Sequence, residues 1–188
     1  YGVPRELAET RNVGDTSPNK NEDAIFNLFM QGRIENKIFI EPIRLTDNFS
    51  NKQLILINCR FRSIVDLSST QLTNTLTIEN CIFENGLKLE NIQLAGGLYI
   101  TNSTVLASNI GVMENIFNLS GLNAANIKIE NIYCSGASDF SKFSVRSELE
   151  FVNLYNLGNV SFKQSLMSAS AFFASFPNNS GQYFIGGY

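Results

Sequence analysis

Nucleophilic catalysis of the common kind needs an imidazole to take the proton from a hydroxyl or thiol, and this 188-residue chain has no histidine. Its three cysteines, Cys59, Cys81 and Cys134, have Lys or Asp as alternative partners, yet no spacing singles one out. An odd count without a CxxC pair makes a poor disulfide framework and a poor zinc site. It points to a reducing compartment, so a cytoplasmic location is the expectation. Cys59 and Cys81 hold equivalent places in a repeat and are expected to fill the core. Cleavage of a polysaccharide would need convergent acids. Asp66, Lys88 and Glu90 come nearest to such a group, although a surface charge pair between Asp66 and Lys88 accounts for their placement. There is no phosphate-cradling glycine loop, metal-spaced acidic motif or nucleotide fingerprint. No catalytic residue, cofactor or metal is therefore assigned. Tyr99, Tyr133 and Tyr155 are expected to project outward, where tyrosine can anchor protein or carbohydrate.

The elements that carry these residues are legible as an internal repeat. Leu54-Ile-Leu-Ile-Asn58 is followed 22 residues later by Leu76-Thr-Ile-Glu-Asn80, and after another 22 by Leu98-Tyr-Ile-Thr-Asn102. The register slips by seven residues, resumes at Ile127-Lys-Ile-Glu-Asn131, and repeats once more at Leu149-Glu-Phe-Val-Asn153. Within each repeat the apolar centres Leu56, Phe61, Leu67, Leu72, Ile78 and Phe83 are separated alternately by five and six residues. A second apolar or small residue commonly lies two before the centre, which puts both on one face of a short strand. These spacings do not sustain the i, i+3, i+4, i+7 pattern of a helix. They predict an all-β solenoid, a right-handed parallel β-helix with about 22 residues per coil, closed at its ends by short helices. Asn58, Asn80, Asn102, Asn131 and Asn153 should stack at one corner, supporting the turn and bonding between coils.

The quintets Asn58-Cys59-Arg60-Phe61-Arg62 and Asn80-Cys81-Ile82-Phe83-Glu84, each with an inward Phe and a small residue two before it, resemble a divergent pentapeptide-repeat protein. The resemblance runs from Ile38 to Phe162 and is strongest from Leu54 to Val105. It departs from that family in its rare Ala-Asp/Asn-Leu quintets and regular six-residue steps. It implies a right-handed quadrilateral β-helix with terminal caps. Some members of the family inhibit or protect DNA topoisomerase by resembling duplex DNA. The slight acidity and sparse charge of this chain do not carry that activity across.

Three regions are expected. Residues 1–36 form a polar lead-in and a capping helix, with Ser17 as its N-cap, Pro18 at its first position and Gly32 ending it near Met30. Residues 37–163 form the solenoid, with Ile38, Ile40, Ile43 and Leu45 inward in an irregular first coil. An insertion lies near 106–126, where Ser108, Asn109, Glu114 and Asn115 are candidate binding residues. Residues 164–188 form a second cap and a tail, with a helix over 164–176 turning Leu166, Met167, Ala171 and Phe172 inward. Gly96-Gly97 is expected at a corner. The chain begins without an initiator Met and is read as a processed product or an excised part of a longer protein.

Apolar residues make up 44% of the chain, enough for a continuous core, while charged residues make up only 16%. A net charge of -3 argues against a nucleic-acid partner, which calls for clustered Lys and Arg. No apolar stretch is long enough for a transmembrane segment. The expected function is a non-enzymatic protein-recognition or scaffold module whose partner is another protein or a second copy of the chain. A carbohydrate-binding or carbohydrate-cleaving extracellular β-helix is the alternative, distinguished by an aligned aromatic strip or a convergent acidic groove.

Overall fold

The computed structural model describes residues 8–10, 18–45, 49–107, 115–167, 171–174 and 183–184. Among them the strands form two sheets, of 13 and 7 strands, and all their strand pairings are parallel. Leu54, Leu76 and Leu98 are in register at 22-residue steps, as are Ile127 and Leu149. The chain is a right-handed parallel β-solenoid.

Each coil sends four pairs of side chains into the core. In one coil they are Leu54 and Leu56, Cys59 and Phe61, Val65 and Leu67, and Thr70 and Leu72, all 3% exposed or less. These define four runs, named first to fourth in that order. A coil standing alone could not bury them. Stacking puts each run against its equivalents at the interstrand spacing of about 4.8 Å. Phe39, Phe61 and Phe83 of the second run accordingly stack with centroids 4.9 Å apart and rings within 5° of parallel.

Left-handed residues punctuate the coil twice, in steps of 11: Asn58, Ser69, Asn80, Asn91 and Asn102, then Asn131, Lys142, Asn153 and Gln164 after the irregular coil. Asparagine dominates because its short polar side chain tolerates this conformation better than other residues with a Cβ. The first column forms the expected amide ladder in two stretches, Asn36 to Asn80 and Asn102 to Asn153. Asn80 Nδ2 donates to Asn58 Oδ1 at 2.5 Å, Asn131 to Asn102 at 3.0 Å and Asn153 to Asn131 at 2.8 Å. Asn58 extends the ladder to Asn36 at 3.2 Å. Before the second column, Asp66, Asn118 and Asp139 accept from the backbone N–H two residues on, at 2.9–3.0 Å.

The helix spans Pro18–Met30 as expected; Ser17 lies outside the described residues. Gly32, at φ 76°, ends it and donates to Phe29 O at 2.9 Å. Phe29 is wholly buried, and Phe26 meets Phe49 edge-on at 5.7 Å. The helix thus lids this end of the stack together with the strand Ala8–Thr10 of the lead-in, which pairs with Lys37–Phe39, where exposed strand edges would otherwise invite association.

Several expectations are corrected. Parallel pairing already includes Arg33–Glu35, and in the first coil it is Ile34, Phe39, Ile43 and Leu45 that are buried. Ile38 and Ile40 are only half-buried, because Ile38 shares the outward register of Arg60. The described residues of 164–176 hold strands rather than the expected helix: Leu166–Met167 and Ala171–Ala174 pair with Ser144–Asn156. The edge of the preceding coil offers unpaired N–H and C=O groups that another strand satisfies and a helix would not. Gly96 and Gly97 lie inside the strand Gln93–Thr101, at a register irregularity rather than a corner. Space is the reason for glycine there. A Cβ on Gly96 would sit 2.5 Å from Asn74 Oδ1, and one on Gly97 would meet the Tyr99 ring at 2.7 Å.

The insertion is narrower than expected. Leu87 pairs with Phe117, 30 residues on, whereas Leu98 pairs with Ile127, 29 on. The extra residues therefore fall between Val105 and Phe117, and one is given back at the irregularity between Ala124 and Asn126. Ser108, Asn109 and Glu114 lie outside the described residues; Asn115 is exposed and opens a strand paired with Ala137–Asp139.

Candidate functional site

The outward residues of the second run form one column in register: Ile38, Arg60, Ile82, Thr104, Tyr133 and Tyr155. They alternate with inward Cys and Phe positions because successive residues of a strand face opposite sides. The amide ladder bounds this column on one flank. On the other stand Glu84 and Leu106, two residues beyond the column. Together these residues enclose a groove of about 710 Å³ that runs across the coils.

Its electrostatics are simple. The Arg60 guanidinium is paired with the Glu84 carboxylate one coil away, through Nε at 2.5 Å and through NH2. Among the described residues, Arg60 and Glu84 are the only ionisable groups in the lining besides the tyrosines, and their charges balance. The Asn131 amide gives one N–H to Asn102 and accepts one bond from Asn153. A primary amide has two N–H groups and two lone pairs, so one of each is left on this exposed side chain. Tyr133 and Tyr155 are 40% and 44% exposed. Neither ring stacks on another aromatic among the described residues, and neither hydroxyl has a hydrogen-bond partner there.

The residues singled out by sequence are thus partly gathered and partly dispersed. Tyr133 and Tyr155 join the amide column, but Tyr99 belongs to the outer face of the first run, in register with Thr77 and Lys128 and half-buried over Gly97. Asp66 and Lys88 do lie side by side on adjacent coils. No ion pair joins them among the described residues; Asp66 accepts from the Ser68 N–H at 3.0 Å, and Glu90 accepts from Asn118 at 2.7 Å. All three thiols are free and buried. Burial pushes Cys81 well up and Cys134 up from the ordinary thiol range, Cys134 also being hydrogen-bonded beside Ser138 at 3.3 Å. Sequence reasoning missed Arg60, Glu84, Thr104 and Leu106. Laying Arg60, Ile82 and Thr104 at 22-residue steps, then adding the seven-residue slip to reach Tyr133, would have found the column.

The fold defines the class, a parallel β-solenoid, and the groove lies on one of its outer faces. No family model, curated protein or solved structure matches the chain. Among the described residues, no group of three or more His, Cys, Asp or Glu side chains is placed to hold a metal ion. No helix there is long and apolar enough to cross a membrane.

Proposed function

We propose that this chain is a non-enzymatic recognition module that holds an extended partner against the outer face of the second run. The observation that carries the reading is the pair of exposed, unpartnered tyrosines set in register with the groove's amide ladder. Exposed tyrosine supplies contact area at low entropic cost, and such residues dominate binding energies where they anchor a partner. Rigidity adds to this, since a face fixed by ladders on adjacent coils loses little freedom on binding. The alternation of five- and six-residue steps, with Phe61 and Phe83 inward behind Cys59 and Cys81, supports kinship with the pentapeptide-repeat proteins within the same proposal.

Thr104 stands mid-groove and half-buried, with its backbone in the ladder, so Thr104→Trp fills the groove without touching the core. A partner captured by the native chain is expected to be lost with Thr104→Trp and kept with Glu79→Trp, an exposed site on the outer first run. Equal capture by both variants would exclude this face.

A further inference from the structure

We infer that the occupant of this groove is a neutral carbohydrate chain lying across the coils; the inference rests on the recognition reading above. Three observations converge on that chemistry. First, the groove offers no surplus charge, because Arg60 and Glu84 neutralise each other at one end. Among the described lining residues a polyanion would find no free cation, and a basic peptide no free carboxylate. Second, beside the Arg60–Glu84 pair and the tyrosines, the polar lining consists of the amides of Asn102, Asn131 and Asn153 and the hydroxyls of Ser103 and Thr104, Ser103 being engaged with Thr101 O and Cys81 N. Asn131 retains an N–H and a lone pair after its ladder bonds, and Thr104 adds a group that both donates and accepts. Such groups match sugar hydroxyls, which likewise donate and accept in the same place. Third, Tyr133 and Tyr155 present unstacked rings on successive coils. The C–H face of a pyranose is apolar and slightly positive, and it complements the negative face of an aromatic ring.

The geometry also favours a chain over a single sugar. From Arg60 to Tyr155 the column crosses four coil steps, on the order of 19 Å at the interstrand spacing. The tyrosines occupy one end, and the Thr and Ile positions line the middle. A ligand stacked at Tyr133 and Tyr155 reaches Asn131 and Asn153 on the same coils, and it meets Thr104 and Asn102 only if it extends along the solenoid axis.

The test uses the full chain in affinity electrophoresis and calorimetry. The probes are soluble neutral polysaccharides, namely cellulose-type glucan, laminarin-type glucan, mannan, galactan and xylan, with alginate and chondroitin sulfate as polyanions. At least one neutral polymer is expected to bind, with an affinity that salt leaves unchanged. Tyr133→Ala and Tyr155→Ala should each weaken it about tenfold. Tyr133→Phe should keep most of the affinity, since the ring face makes the contact, and Tyr99→Ala should keep all of it. Thermal melting checks the fold of each variant; if an alanine variant melts early, Thr104→Trp provides the second probe of the same face. Failure of every neutral polymer to bind, or binding indifferent to both the tyrosines and Thr104→Trp, overturns the inference. A protein or polyanion whose capture is lost with Thr104→Trp would overturn it while leaving the recognition reading standing.

Discussion

Asn102 illustrates what single residues do in this solenoid. Its backbone is left-handed at φ 50°, and its side-chain oxygen accepts from Asn131 at 3.0 Å. The two roles are separable by substitution. Asn102→Gly removes the amide but keeps the conformation, whereas Asn102→Ala also forces a Cβ into the left-handed region, at a cost of about 1–2 kcal/mol. The alanine variant is therefore expected to be the less stable of the two in urea titration; equal stabilities would assign the column's importance to the ladder alone. The amide column was legible in the sequence wherever two apolar residues precede it, as in Leu76-Thr-Ile-Glu-Asn80. Asn36 escaped because Gly32 occupies the place of the first apolar residue, although Ile34-Glu35-Asn36 repeats Ile78-Glu79-Asn80. The second left-handed column could not be read at all. Ser69, Asn91, Gly121, Lys142 and Gln164 share a backbone conformation and no side-chain chemistry.

Elements here are stabilised through their equivalents on adjacent coils rather than within themselves, since many strands are only two residues long. Phe83 is fully buried and stacked at 4.9 Å on Phe61, which stacks in turn on Phe39. Replacing Phe83 by Ala leaves a cavity that rigid neighbouring coils cannot close, so a loss of about 3–5 kcal/mol is expected in denaturant unfolding. Phe61→Ala should match it from the coil below. Unchanged stability in both variants would contradict the inward assignment. The apolar centres that predicted these positions from Leu54 to Val105 are buried as the spacing requires. Prediction weakened where the pattern's physical cause weakened. The first coil is shared with the helix, and Phe49 is buried with its ring against Phe26 of that helix. Beyond Phe162, the apolar segment was read as a helix although it continues strand pairing.

At the scale of the whole molecule, a stack of coils has two ends, and each exposes backbone that a neighbouring chain can pair with. The helix Pro18–Met30 answers this at one end by packing Phe26 and Phe29 onto Phe49 and Phe39. Serine at both Phe26 and Phe29 should loosen this lid. Concentration-dependent oligomers are then expected in light scattering coupled to gel filtration; a strictly monodisperse variant would show that the helix does not guard the edge. The sequence by itself determined the class of fold, the 22-residue period, the helix and the inward residues of the regular coils, because each follows from spacing that recurs along the chain. Only the tertiary structure decided that Tyr133 and Tyr155 share a groove with Arg60, Glu84 and Thr104 while Tyr99 does not. Those relations depend on which outward positions come into register across coils. The net seven-residue slip is legible in the repeats, but no local pattern encodes that an irregular coil adds residues between Val105 and Phe117 and returns one near Asn126, or that Glu84 and Leu106 then flank the column.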